Sequence, residues 1–194
     1  HLTTDAKQQD MKQRRASRGC SATVLSYVYF GEGGTREEAS GVSFIKKYIK
    51  NVYLNAIIQQ KYTKCTRKIK NVNFTCAADE TFRKKEEIAN IDIIDLCTII
   101  ANLLDNAIEA YIECNDYDIR INLDYINNSY RIEISNTIKG SVLSGNKTLK
   151  TSKSDTKNHG IGIKSVKSRA EKYNGKTEFT EENGQFVARV WLMA

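Results

Sequence analysis

Apolar residues in the first third of the chain recur at the spacing of a helix. One such stripe lies in residues 2–30, and a second follows the glycine-rich break GEGG at 31–34. Thr35 and Glu38 form a capping box that would open the second helix. The stripes consist of Cys20, Val24, Tyr27 and Val28, and then of Val42, Ile45, Ile49, Val52, Leu54, Ile57, Ile58, Tyr62 and Cys65. We therefore predict an antiparallel helical hairpin, whose narrow seam suits pairing with a second copy of the chain.

The same region also carries a signal for strands. The stretch TVLSYVYF at 23–30 is rich in β-branched and aromatic residues, which favour a strand. Gly19 and Gly41 weaken both predicted helices, because glycine is a poor helix former.

Beyond residue 68 the pattern changes to alternating strands and helices. Strands are predicted at 72–77, 116–126 and 129–135, with a hairpin at 176–192, and helices are predicted at 91–113 and 163–174. The turns Asn127-Asn128 and Asn183-Gly184 would close two hairpins, and Gly175 would end the last helix. This order predicts an α/β fold, a two-layer sandwich with helices on one face of a sheet. We divide the chain into a helical stem at 1–68 and a second domain at 69–194.

Composition narrows the classes of function. The chain has 194 residues, enough for one core and a small helical appendage. It has no apolar run long enough to cross a bilayer and no signal peptide, and it begins at His1, so we expect a soluble fragment of a longer protein. Five cysteines without a C-x-x-C pair indicate reduced thiols. The net charge of +7 is scattered along the chain, which argues against a nucleic-acid partner.

The helix predicted at 91–113 carries two different faces. The face predicted to pack on the sheet consists of Ile93, Cys97, Ile100, Leu104, Ala107 and Tyr111. Asn102, Asn106, Glu109 and Glu113 recur at steps of four, three and four, so they share another face. A solvated face would favour Lys and Glu, and Asn is disfavoured inside helices. Two asparagines one turn apart therefore indicate a local function.

Two segments carry a family resemblance. NLLDNAIEA at 102–110 resembles the N-box of the ATP-binding domain shared by gyrase, the heat-shock chaperones, sensor histidine kinases and the MutL repair proteins. NHGIGIKSV at 158–166 resembles the second glycine box of that domain. Together with the TSK stretch at 151–153, these segments resemble the peptide-pheromone receptor kinases of the accessory-gene-regulator and VirS type. The resemblance covers residues 54–193 and implies a Bergerat-type ATP-binding fold and histidine kinase activity.

The resemblance also implies ATP and Mg²⁺ as cofactors. Carboxamide oxygens of Asn102 and Asn106 would hold Mg²⁺ without adding negative charge beside a triphosphate. Gly160 and Gly162 would let the backbone approach phosphate closely, ahead of an amide-rich helix N-terminus. Relatives that hydrolyse ATP carry a glutamate general base at the position of Asn102. Because an amide cannot deprotonate water, the chain suits phosphoryl transfer to another acceptor.

Other parts of the nucleotide site depart from the commoner kinase pattern. Asn136 stands where many histidine kinases hold adenine with a carboxylate. Many relatives have a basic residue in place of Glu109, so Lys153 or His159 would supply charge opposite the phosphates. The polar stretch 137–159 has the length of a lid or of a surface insertion, and its place next to the glycine box favours an ATP lid.

The expected phosphoacceptor histidine is replaced. QQDMKQ at 8–13 resembles the acceptor motif of these kinases, and Gln9 stands at the histidine position. Two functions stay open. The chain could transfer the γ-phosphoryl of ATP to a histidine on the stem of a homodimer and then to a response regulator. Alternatively, it could be a nucleotide-binding signalling module without transfer, in which ATP controls lid and dimer conformation. Either way we expect a cytoplasmic location, with a membrane sensor segment upstream of this chain.

Overall fold

The computed structural model of the chain describes residues 26–28, 37–39, 49–69, 71–84, 86–112, 114, 116–144 and 161–194. The elements in these ranges are strands β1 (Ser26–Val28) and β2 (Glu37–Ala39), helix α1 (Val52–Lys68), strand β3 (Val72–Ala78), helices α2 (Glu80–Lys84) and α3 (Ile93–Glu109), strands β4 (Tyr117–Ile126) and β5 (Ser129–Thr137), helix α4 (Ile161–Lys172), and strands β6 (Lys176–Glu182) and β7 (Gln185–Met193). No helix in this part of the chain is both long and apolar enough to pass through a membrane.

Five strands form one mixed sheet in the order β3-β4-β5-β7-β6. β3 and β4 run parallel, and the other neighbours run antiparallel. Two of the antiparallel pairs are hairpins closed by Asn127-Asn128 and by Asn183-Gly184, whose φ angles lie between 50° and 74°. Left-handed residues at both central positions give turns that match the twist of the strands. Both predicted hairpins are therefore confirmed.

The sheet has one apolar and one polar face. Alternate residues of β4 and β5, such as Ile121 and Ile134, are buried towards the helices. On the opposite face Arg189 contacts Glu133 at 2.7 Å and Glu182 at 2.7 Å, and Arg131 contacts Asp124 at 2.6 Å. The described helices therefore cover one face, and the predicted two-layer α/β fold is confirmed.

Helix α3 lies at the centre of the helical layer. Asp92 caps its start by accepting a hydrogen bond from the backbone N of Ile94 at 2.8 Å. Seven residues of α3 are buried: Leu96, Ile99, Ile100, Leu103, Leu104, Ala107 and Ile108. Ile100, Leu104 and Ala107 of the predicted face are among them, whereas Ile93, Cys97 and Tyr111 are only partly buried. The buried face extends further round the helix than predicted, because α3 packs against both the sheet and α1.

Helix α1 packs into the same hydrophobic core as α3 and the five-stranded sheet. Its start is capped by Asn51, which accepts from the backbone N of Leu54 at 3.1 Å. Leu54, Ile58 and Cys65 are fully buried in the same cluster as α3 and the sheet. The domain boundary drawn after residue 68 stays a prediction, but within the described residues α1 packs as a helix of the α/β layer.

Part of the first third is strand where the sequence predicts helix. Ser26–Val28 pairs antiparallel with Glu37–Ala39. The helix prediction is therefore wrong for these residues, including Glu38 of the expected capping box. The β-branched and aromatic residues around Tyr27 favour a strand, and this preference outweighs the helical spacing. The rest of the predicted hairpin before residue 49 lies outside the described residues.

Helix α4 ends against strand β7. Asn174 has a φ of 49°, and the backbone N of Gly175 donates to the carbonyl oxygen of Ala170 at 2.9 Å. These contacts satisfy carbonyl groups at the helix end. A Cβ on Gly175 would lie 1.9 Å from the backbone oxygen of Trp191. Only glycine therefore fits between α4 and this strand.

We expect Gly175→Ala to lower the free energy of unfolding by about 3 kcal/mol, because the methyl group forces the backbone of α4 or β7 to move. Gly184→Asn is the matched control, since nothing lies within 4 Å of a Cβ there and its φ of 74° suits Asn. Urea unfolding followed by circular dichroism measures both. Equal losses in the two variants would contradict the close approach at Gly175.

Candidate functional site

The middle of α3 faces the start of α4. The Nδ2 atom of Asn102 lies 3.3 Å from the Oγ of Ser165, to which it donates. A Cβ built on Gly162 would lie 3.8 Å from Asn102 Oδ1, so the amide and the glycine backbone are neighbours. The structure thus brings together one predicted N-box residue and one predicted glycine-box residue.

Asn106 lies one turn further along α3. Its side chain is half-buried, like that of Asn102. Its backbone oxygen accepts from the backbone N of Ala110 at 2.9 Å, so the helix is regular here. Two carboxamides therefore follow one another along a single face of α3.

Asn136 lies near the end of β5, on the face of the sheet that the helices cover. Its side chain is only 3% exposed. Its Nδ2 donates to the hydroxyl oxygen of Tyr117 at 3.2 Å and to the backbone oxygen of Thr137 at 3.1 Å. The Tyr117 hydroxyl in turn donates to the backbone oxygen of Ala107 at 2.7 Å. A chain of hydrogen bonds thus joins Asn136 to the second half of α3, beyond Asn106.

An ionic cluster fixes α4 against the first turn of α3. The carboxylate of Asp95 contacts Arg169 Nε at 3.0 Å and Lys172 Nζ at 2.6 Å, and it accepts from the Tyr173 hydroxyl at 2.7 Å. Hydrogen bonds from Lys172 and then Tyr173 lower the pKa of Asp95. Arg169 also donates to the Oγ of Ser165, the partner of Asn102. The cluster therefore helps to set the position of the α4 start beside the amides.

Sequence patterns single out neither Ser165 nor Tyr117, nor the residues of the ionic cluster around Asp95. Ser165 lies inside the predicted glycine box at 158–166. The sequence therefore indicates the importance of this segment, but it does not indicate that Ser165 bonds to Asn102. Tyr117 is the second residue of the strand predicted at 116–126, and its inward position follows from the alternation along that strand. Its hydrogen bonds to Ala107 and Asn136 depend on tertiary packing, which no local pattern reports.

Four predicted site residues lie outside the described part of the chain. They are Gln9, Lys153, His159 and Gly160. Most of the predicted lid, from residue 145 on, also lies outside it. Their roles stay predictions, as do the ligand roles of Asn102, Asn106, Asn136 and Gly162.

Residues 91–193, more than half of the chain, match the family model described as the GHKL domain. No curated protein is significantly similar to the chain in sequence. The catalytic domain of histidine kinase ThkA has a similar structure, with a TM-score of 0.57 and 17% identity over 75% of this chain and 94% of that chain.

Two further kinases share the fold. Acinetobacter baumannii histidine kinase AdeS matches with a TM-score of 0.55 and 9% identity, over 78% of this chain and 73% of that chain. The mycobacterial sensor histidine kinase MprB matches with a TM-score of 0.53 and 14% identity, over 72% of this chain and 94% of that chain. At these identities the likeness establishes the fold alone.

We expect Asp95→Asn to destabilise the fold by about 1 kcal/mol at neutral pH, because it weakens the ionic cluster. The folded-state pKa of Asp95 is lowered, so its contribution is present above the unfolded pKa of about 4 and is lost as pH falls through the folded pKa. The stability difference between the two proteins should therefore shrink in acid. Urea midpoints at a series of pH values measure this. Glu171→Gln, at an exposed position of α4, is the control, and a difference that does not change with pH would contradict the assignment.

Proposed function

The chain belongs to the GHKL domain family, and from this premise we propose that it is the ATP-binding catalytic region of a two-component sensor histidine kinase. The observation that carries the proposal is the proximity of Asn102 to Gly162. It places an N-box amide beside the glycine-box backbone at the start of α4. An amide oxygen and a backbone free of side-chain bulk are what a phosphate group with its metal ion requires at close range.

The residues present fit Mg²⁺ and a triphosphate. Asn102 and Asn106 would hold the metal ion, since amide oxygens are hard ligands and Mg²⁺ shares its remaining ligands with water and phosphates. When bound, Mg²⁺ neutralises charge that develops on the transferred phosphoryl group. The backbone at Gly160 and Gly162 would contact the phosphates, and Lys153 and His159 would place positive charge opposite them.

The base would lie at the end of β5. Asn136 is buried there, and its amide nitrogen is already bonded to Tyr117 and Thr137. Its carbonyl oxygen is the atom left to receive a hydrogen bond from the amino group of adenine. Asn136 would thereby serve in place of the carboxylate that many histidine kinases use.

Transfer suits this site better than hydrolysis. Asn102 stands where a general base would be needed, and its amide cannot take a proton from water. Catalysis would then consist of holding the phosphates in place and neutralising their charge, while the acceptor comes from elsewhere. We propose a homodimer through the N-terminal segment, a response regulator as the downstream partner and a cytoplasmic location. The resemblance to peptide-pheromone receptor kinases supports a role in quorum sensing.

Gln9 supports a second candidate function for this chain. A glutamine offers no imidazole nitrogen to a phosphoryl group, and the chain contains only two histidines, His1 and His159. A module that binds ATP and changes its conformation without transfer would need no acceptor. The two functions share the nucleotide site and differ only in the acceptor.

We expect Asn106→Ala to weaken Mg²⁺-dependent ATP binding strongly while the fold persists. Even the loss of a group that supports a metal ligand costs about 10- to 100-fold, so the loss of a ligand should weaken binding at least tenfold. Calorimetric titration of ATP with and without Mg²⁺ measures the effect. Asn122→Ala is the matched control, because Asn122 bonds Glu133 on the polar face of the sheet. An Asn106→Ala titration equal to that of the wild type would contradict the metal-ligand role.

Incubation with γ-labelled ATP tests the acceptor position. We expect no label on the wild-type chain and stable label on Gln9→His, because only the variant has an imidazole at that position. The double variant Gln9→His, Asn106→Ala is the control for labelling that needs the proposed site, and it should stay unlabelled. Label on neither the wild type nor Gln9→His, or on both, would contradict the assignment of Gln9.

A further inference from the structure

The hydroxyl group of Tyr117 is committed as a donor. It lies 2.7 Å from the backbone oxygen of Ala107, and a carbonyl oxygen only accepts. The hydroxyl proton must therefore point at α3. Burial raises the pKa of Tyr117, so this proton stays in place around neutral pH. The hydroxyl oxygen is left with acceptor capacity only.

This commitment fixes the orientation of the Asn136 amide. The atom of Asn136 that faces the Tyr117 oxygen at 3.2 Å must be a donor, so it is Nδ2. The backbone oxygen of Thr137, 3.1 Å from the same Asn136 atom, is also an acceptor and therefore also requires a donor there. Both neighbouring oxygens are acceptors, so neither can form a hydrogen bond with Oδ1. Hydrogen bonding therefore determines which of the two amide orientations is correct. The Oδ1 atom of Asn136 therefore points away from Tyr117, and no described residue donates a hydrogen bond to it.

An amide needs such an orienting group, whereas a carboxylate does not. The two oxygens of a carboxylate are both acceptors, and either one could face an amino group of a base. The two ends of an amide have opposite hydrogen-bonding character, and a flip exchanges acceptor for donor. If Asn136 binds the base, the preference of the site for one base over another therefore depends on how firmly the orientation of the amide is fixed.

We propose that Tyr117 is a positioning residue that sets base selectivity. By holding the NH₂ end of Asn136, it presents Oδ1 to the nucleotide, so that the site takes a purine with an amino group at position 6 and rejects one with a carbonyl there. A carbonyl facing Oδ1 would leave two buried acceptors unpaired. This inference rests on the proposed function, since it deepens the role of Asn136 in the same nucleotide site.

The ring of Tyr117 also packs in the core, and the test must separate this packing from the effect of the hydroxyl group on Asn136. This ring is fully buried and meets the Tyr111 ring edge-on, with centroids 5.1 Å apart. Tyr117→Phe keeps this ring and removes only the hydroxyl. Tyr130→Phe removes another buried hydroxyl at the opposite end of the same sheet, where the ring packs on Phe82. It is the matched control for the general cost of losing such a group.

The experiment measures dissociation constants for ADP and inosine diphosphate in the presence of Mg²⁺. The two ligands share sugar and phosphates, and at position 6 they differ in carrying an amino group or a carbonyl. We expect wild type and Tyr130→Phe to prefer ADP equally. Tyr117→Phe should lower the ratio of the inosine diphosphate constant to the ADP constant about fivefold, the equivalent of one ordinary hydrogen bond. Circular dichroism checks that the variants are folded.

An Asn136→Ala background separates positioning from packing. There the amide is gone, and adding Tyr117→Phe should leave the ratio of the inosine diphosphate constant to the ADP constant unchanged. The same fall in that background would overturn the inference, as would an unchanged ratio in Tyr117→Phe alone. Wild-type chain that binds neither ligand would overturn the proposed function itself. Wild-type chain that binds both equally would overturn the selectivity while leaving nucleotide binding intact.

Discussion

The burial of α3 between the sheet and α1 is the constraint on which the candidate site depends. Full burial of one Leu or Ile contributes about 1.5–3 kcal/mol, and α3 buries six such residues together with Ala107. An Asn inside a helix costs only about 0.7 kcal/mol relative to Ala. The apolar residues therefore decide how α3 is rotated about its axis. Asn102 takes the direction that this rotation leaves to it, towards Ser165 of α4.

Apolar packing determines the approximate position of α3, and hydrogen bonds and ion pairs determine more precisely how α4 and β5 lie relative to it. Asp95 joins the first turn of α3 to the last turn of α4 through Arg169 and Lys172. Tyr117 joins the second half of α3 to the end of β5. Hydrogen bonds weaken steeply when distance and angle change, so such contacts tolerate little movement. The last turn of α4 and the end of β5 are thus each held to α3 by polar contacts.

Sequence patterns predicted the elements with local signals and missed what depends on tertiary contacts. The hairpin turns were predictable because Asn and Gly accept left-handed conformations, and the amide face of α3 was predictable from helical periodicity. The buried face was predicted too narrow, since Leu96, Ile99 and Leu103 pack on neighbours that the helical period alone does not reveal. The helix prediction for strand β1 is wrong because helical spacing competed there with the strand preference of the β-branched and aromatic residues around Tyr27. The partnership of Tyr117 with Asn136 joins residues 19 positions apart and had no local signal.

The acid in the middle of the N-box shows how the fold keeps negative charge from the proposed phosphate site. Asp105 lies between the two asparagines in sequence, but helical geometry turns it towards α1, where Lys61 and Lys64 each contact its carboxylate at 2.6 Å. Burial alone would raise the pKa of Asp105, yet the hydrogen bonds from both lysines outweigh burial and lower it. The carboxylate is therefore ionised and locally neutralised by two lysines of α1. The uncharged amide of Asn102 thus faces α4, and in the proposed site it would meet a triphosphate without the repulsion that an unpaired Asp105 carboxylate would add.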